Sequence, residues 1–117
     1  MQIQVLKSKI HRATVTNANL NYEGSLTIDK KLMALADIFP GEQVQVLNLS
    51  TGKRIETYAI TGKPGSGIIC LNGPAARTGL PGDKVIILTY TLLSEQEYRS
   101  FNPKFIKVDN RNKPLLK

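Results

Sequence analysis

One short pattern occurs twice in this chain, and it constrains the fold more than any single motif. Phe39-Pro40-Gly41-Glu42-Gln43-Val44-Gln45-Val46-Leu47 returns as Leu80-Pro81-Gly82-Asp83-Lys84-Val85-Ile86-Ile87-Leu88. Each copy is a Pro-Gly-acid turn feeding an apolar, β-prone run. Two copies are too few for a solenoid. They fit a closed barrel made of two related halves; the alternative is a chance likeness between two loop–strand junctions.

Most of the remaining sequence also reads as short strands. Residues 3–15 hold β-branched side chains in partial alternation, and 17–21 form an Asn-rich loop. Residues 26–28 make a short strand. Asp29 caps a helix over 30–37, whose apolar face is Leu32, Met33, Leu35 and Ala36. A strand over 43–49 turns at Thr51-Gly52 and returns over 54–61. The glycine-rich 62–67 lacks P-loop spacing and reads as a hairpin turn. Strands follow at 68–71 and 84–91, then a capping box at Ser94-Glu95-Gln96-Glu97 and a last strand at 105–108. The expected class is mainly β with short helices, in a single domain spanning 1–117.

The residue inventory narrows the chemistry. A chain of 117 residues suits one domain with a core. His11 is the only histidine and Cys70 the only cysteine, so a His-rich metal site, a zinc knuckle and an internal disulfide are all excluded. No metal is expected. The absence of a disulfide fits a reducing cytoplasm. No apolar run is long enough to span a membrane as a helix, and residues 1–7 alternate rather than forming a signal-peptide block. The net charge of +7 is spread along the chain and enriched near its end, at Lys104, Lys107, Arg111, Lys113 and Lys117. Without interleaved aromatics this reads as a solvated basic face rather than a nucleic-acid groove. It would also steer a small dianion inward.

Alone, Tyr22-Glu23-Gly24-Ser25 is only a turn. It lies between Lys7-Ser8-Lys9-Ile10-His11-Arg12-Ala13-Thr14-Val15-Thr16 and Thr27-Ile28-Asp29. Further on come Gly52-Lys53-Arg54, Thr57-Tyr58-Ala59-Ile60 and Asn72-Gly73-Pro74-Ala75-Ala76-Arg77. Together, from about residue 7 to about residue 91, these segments closely resemble the pyruvoyl-dependent aspartate 1-decarboxylases. The resemblance implies a double-psi β-barrel and a cytoplasmic homotetramer with sites between subunits. It implies a lyase that converts L-aspartate to β-alanine and CO2 for pantothenate and coenzyme A synthesis. Neither nucleic acid nor membrane is an expected partner; whether maturation needs an accessory factor stays open.

The same resemblance assigns roles. Ser25 cuts the chain after Gly24, giving residues 1–24 and 25–117, and becomes the covalent pyruvoyl group that forms a Schiff base with the substrate. Decarboxylation needs an electron sink that no ordinary side chain provides. Gly24, lacking a Cβ, can take a strained turn. Thr57 serves the processing site and the substrate; without the family it is an ordinary strand residue. Tyr58 is the proton donor, since a phenol keeps its proton at neutral pH; otherwise it is a half-buried strand tyrosine. Thr57 and Tyr58 should face opposite ways. Arg54 can clamp a carboxylate with parallel N–H donors, and Lys9 is a second cation at the substrate site; both are otherwise solvent-facing charges. His11 is either a polar neighbour of the site or structural. Asn72, with the backbone of Gly73, Pro74 and Ala75, corresponds to the substrate-holding loop. Two residues depart from the family pattern. Pro74 replaces an alanine and so loses one N–H, and Asn19 stands where aspartate is frequent.

Overall fold

The computed structural model describes residues 1–115. The chain is mainly β. Strands β1 (Gln2–Thr14), β2 (Asn17–Asn19) and β3 (Ser25–Asp29) lead to helix α1 (Lys30–Ala36). Then come β4 (Gln43–Asn48), β5 (Arg54–Gly62), β6 (Ile69–Asn72) and a 3-10 turn over Gly73–Arg77. β7 (Lys84–Ser94), α2 (Glu95–Arg99) and β8 (Lys104–Lys107) complete it.

The sheet order is β2-β6-β3-β5-β4-β7-β1-β8. β1 and β2 belong to nearly one stretch of chain, and between them the Thr16 N–H donates to the Ile69 carbonyl at 2.8 Å. The sheet therefore returns on itself as a barrel, with β8 added beside β1.

The repeated pattern is the internal symmetry of that barrel, not a coincidence. In the first half, β3 leads through α1 and the Pro40-Gly41 turn to β4; in the second, β6 leads through the 3-10 turn and Pro81-Gly82 to β7. The Gly41 N–H donates to the Ala59 carbonyl, and the Ala59 N–H returns to Glu42, at 2.8 and 2.9 Å. Gly82, Val15 and Asp83 repeat this arrangement at the same two distances. The acid after each glycine caps its own turn: Glu42 accepts from the Phe39 N–H and Asp83 from the Leu80 N–H. Both glycines need positive φ, at +84° and +97°. Each half also has a long strand that passes from an antiparallel partner to a parallel one. β5 runs from β4 to β3, and the β1–β2 stretch runs from β7 to β6.

The interior is filled by Ile10, Val15, Leu26, Ile28, Leu32, Val44, Ile69, Leu71, Val85 and Ile87. Each such side chain contributes about 1.5–3 kcal/mol by leaving water. Strand β1 alternates only partly because its register slips between Leu6 and Ser8 and again between Ile10 and Ala13, where Arg12 takes φ +62°.

Three expectations are corrected. The Asn-rich loop contains a strand: residues 17–19 pair in parallel with β6, and tertiary pairing overrides the low β-propensity of asparagine. Residues 62–67 are not a hairpin turn, because β5 and β6 lie on opposite sides of β3. The segment crosses over instead, and its Gly65 and Gly67 N–H groups donate to the Asp29 carboxylate at 2.9 and 2.8 Å. Leu35 is exposed, so the buried face of α1 is Leu32, Met33 and Ala36. The Asp29 cap and the Ser94 capping box are both present. Lys117 lies outside the described residues. Among the described residues, no helix is long and apolar enough to cross a membrane.

Candidate active site

Strands β3 and β6 run antiparallel, with Ser25 opposite Asn72 and Thr27 opposite Cys70. Alternation turns these four side chains to one face of the pair, while Leu26, Ile28, Ile69 and Leu71 fill the interior. Ser25 is fully buried and Asn72 nearly so. The Asn72 amide nitrogen donates to Ser25 Oγ at 3.0 Å and to Thr27 Oγ1 at 2.8 Å. The Ser25 hydroxyl donates to the Glu23 carbonyl at 3.0 Å. The Cys70 thiol donates to Asn72 Oδ1 at 3.2 Å.

The backbone around the Gly24-Ser25 bond is closely fitted. Gly73 has φ +62°, and a Cβ on it would lie 2.8 Å from the Gly24 Cα, the Gly24 nitrogen and the Tyr22 carbonyl. A Cβ on Gly24 would lie 3.2 Å from the Pro74 ring. Pro74 is the second residue of the 3-10 turn, and Ala75 is buried just behind it. The turn that presents Gly24 and the turn after Asn72 thus hold each other, which requires glycine at position 73 and leaves little room beside Gly24.

Gly24, Ser25, Asn72, Gly73, Pro74 and Ala75 therefore form one cluster. Thr57 is half-buried on β5. The β3–β5 pairing begins at Leu26 and Ala59, and continuing its register backward sets Thr57 level with Gly24. Tyr58 lies on the opposite face of β5 from Thr57, level with Ser25 in the same register, and is 37% exposed. The structure keeps two of the predicted residues apart from Ser25 within this chain. Arg54 is exposed at the start of β5, donating to Gln45 Oε1 at 2.7 Å. Lys9 lines a different cavity on β1 with His11, Phe105, Lys107 and Leu115. Burial and the charges of Lys9, Arg12 and Lys107 hold His11 below its usual pKa, and its buried Nδ1 makes no hydrogen bond among the described residues.

Sequence reasoning passed over Cys70, Thr27 and the Glu23 carbonyl. The first two were within reach, since Cys70 stands two residues before Asn72 on a strand, and that spacing shares a face. Among the described residues no group of side chains is arranged to hold a metal ion.

The site thus joins a buried serine, the glycine peptide that precedes it and an amide donor on the serine hydroxyl. The aspartate decarboxylase family matches residues 1–115, and the chain belongs to that family. The aspartate 1-decarboxylase of Thermoanaerobacter pseudethanolicus is 57% identical over 115 residues, covering 98% of each chain. That of Caldicellulosiruptor saccharolyticus is 60% identical over 113 residues, covering 97% of this chain and 88% of its own. That of Kosmotoga olearia is 57% identical over 111 residues, covering 95% of each.

Proposed function

We propose that this protein is a pyruvoyl-dependent aspartate 1-decarboxylase. It releases CO2 from L-aspartate to give β-alanine for pantothenate and coenzyme A synthesis in the cytoplasm. It is made as one inactive domain and cuts itself between Gly24 and Ser25. The observation that carries this reading, in a chain of this family, is the buried Ser25 hydroxyl held at 3.0 Å by Asn72 beside Gly24.

Cleavage proceeds as an acyl shift followed by an elimination. Ser25 Oγ attacks the Gly24 carbonyl carbon through a five-membered ring. The C–N bond breaks, an ester to Oγ forms, and the hydroxyl proton ends on the Ser25 nitrogen. A water acting as base then takes the Ser25 Cα proton, and the electrons of that C–H bond form the double bond as the Cβ–Oγ bond breaks. This leaves a carboxylate on Gly24 and a carbon–carbon double bond in residue 25. Negative charge develops on Oγ as that bond breaks, and the Asn72 N–H is aimed at it. Proton transfer to Cβ, addition of water and loss of ammonia leave a ketone on residue 25. That ketone supplies the electron sink that decarboxylation requires.

The remaining residues bind substrate and move protons. Arg54 and Lys9 take the two carboxylates of aspartate. Asn72, Thr57 and the backbone N–H groups of Gly73 and Ala75 hold the substrate, while Pro74 fixes the turn that presents them. Tyr58 returns a proton to the carbon that loses CO2. The net charge of +7 draws the anionic substrate in.

Lys9 and Arg54 lie apart from Ser25 within one chain, which favours a homotetramer with sites between subunits. The exposed Tyr58, Tyr90 and Leu92 on the outer sheet face support such packing. An accessory factor could set the rate of maturation without altering this chemistry. Cleaved protein given L-aspartate should release CO2 and β-alanine in equal amounts, and L-glutamate should be a poor substitute. Cleaved protein that produces no β-alanine contradicts the reading.

A further inference from the structure

The amide of Asn72 has two faces of nearly the same shape. Rotating it by half a turn exchanges its oxygen and nitrogen, so something must choose between them. On one side are the hydroxyls of Ser25 and Thr27, at 3.0 and 2.8 Å; on the other is Cys70 Sγ, at 3.2 Å. Cys70 and Asn72 alternate on β6 and share a face. The thiol is buried, and burial pushes its pKa up against the opposing effect of the Asn19 N–H, so it keeps its proton.

We infer that Cys70 is a positioning residue for self-cleavage: its thiol proton, given to Asn72 Oδ1, locks the amide with both N–H groups toward Ser25 and Thr27. This rests on the self-processing proposed above. The Ser25 proton is already committed to the Glu23 carbonyl. In the reversed amide, Oδ1 would therefore face Ser25 Oγ with no proton between them, leaving only the Thr27 hydroxyl to donate to it, and the nitrogen would face a sulfur that accepts poorly. Reversal also withdraws the N–H from the atom on which charge develops. A side chain at position 70 without a donor removes the one donor that holds Oδ1 on its side and so weakens the bias against that reversal. The thiol bond is modest, so its loss should slow cleavage by about threefold to tenfold rather than stop it.

The test uses the full-length chain and follows the loss of intact mass with time. Cys70→Ala and Cys70→Val should each slow cleavage by about threefold to tenfold, with little change in melting temperature. Cys70→Ser, which restores a donor, should cleave within about twofold of the parent. In an Asn72→Ala background, adding Cys70→Ala should change nothing further, because no amide remains to orient. Cleavage of Cys70→Ala and Cys70→Val at the parent rate overturns the inference. So does a slowing that persists in the Asn72→Ala background, which marks a packing effect. A parent chain that never cleaves overturns the processing reading itself, whatever the Cys70 variants do.

Discussion

Asn72 stands directly across the β3–β6 pair from Ser25, with its amide nitrogen 3.0 Å from the serine hydroxyl. Both side chains are almost wholly buried, so no water can replace the bond at little cost. Asn72→Ala should retain the fold and lose about 1–3 kcal/mol of stabilisation where charge builds on Oγ. The time course of intact mass should show cleavage slowed at least about tenfold. Cleavage at the parent rate would remove Asn72 from the mechanism.

Gly73 is the position where backbone fit can be tested without touching a reactive atom. Its φ is +62°, and an added Cβ would meet the Gly24 backbone at 2.8 Å. Gly73→Ala should cost about 1–3 kcal/mol in chemical denaturation, from backbone strain and the clash. It should also displace Gly24 enough to halt or greatly slow cleavage. A variant as stable and as quickly cleaved as the parent would show that the two turns are not fitted together.

Tyr58 and Thr57 are adjacent on β5 and face opposite ways. As the proton donor for turnover alone, Tyr58 should be dispensable for cleavage: Tyr58→Phe should leave cleavage intact while lowering kcat for aspartate at least about tenfold, the usual scale for a lost general acid. KM should change much less. Unchanged kcat in fully cleaved protein would exclude the phenol as proton donor.

Asp29 ties α1 to the 62–67 crossover. Burial alone would raise its pKa, but N–H donors from Gly67, Gly65 and Lys31, with Lys113 nearby, hold it below the ordinary value of 3.8. A depressed carboxylate adds stability that is present above its unfolded pKa and lost as pH falls through the folded value. The melting temperature should thus fall as pH drops below about 4, and Asp29→Asn should flatten that part of the curve. Asp29→Ala should cost about 2–4 kcal/mol at neutral pH, since three N–H donors lose their acceptor. An unchanged acid profile in Asp29→Asn would contradict the assignment.

Local chemistry made much of the fold legible. The Pro-Gly-acid turns, the Asp29 cap and the Ser94 capping box each state a backbone geometry through a few neighbouring residues. What stayed hidden was decided by distant partners. Asn17 to Asn19 become a strand only because β6 offers an unpaired edge. The glycines at 62–67 suggest a tight turn until Asp29, far back in the chain, is seen to gather their N–H groups. Within the site, Gly24 and Ser25 became significant through a resemblance, while the bonds joining Ser25, Asn72 and Cys70 depend on the register of two strands. Lys9 and Arg54 sit on strands whose place around the barrel no local pattern reveals.

If Ser25 cuts the chain and becomes its reactive carbonyl, the intact mass of the purified protein will show it. After prolonged warm incubation the protein should be two chains, residues 1–24 and 25–117. The larger should lack an N-terminal amine and gain mass with a hydrazide reagent that captures carbonyls, and Ser25→Ala should remain one chain. A single uncut parent chain with Ser25 unchanged, inert to hydrazide and releasing no CO2 from aspartate, would contradict it.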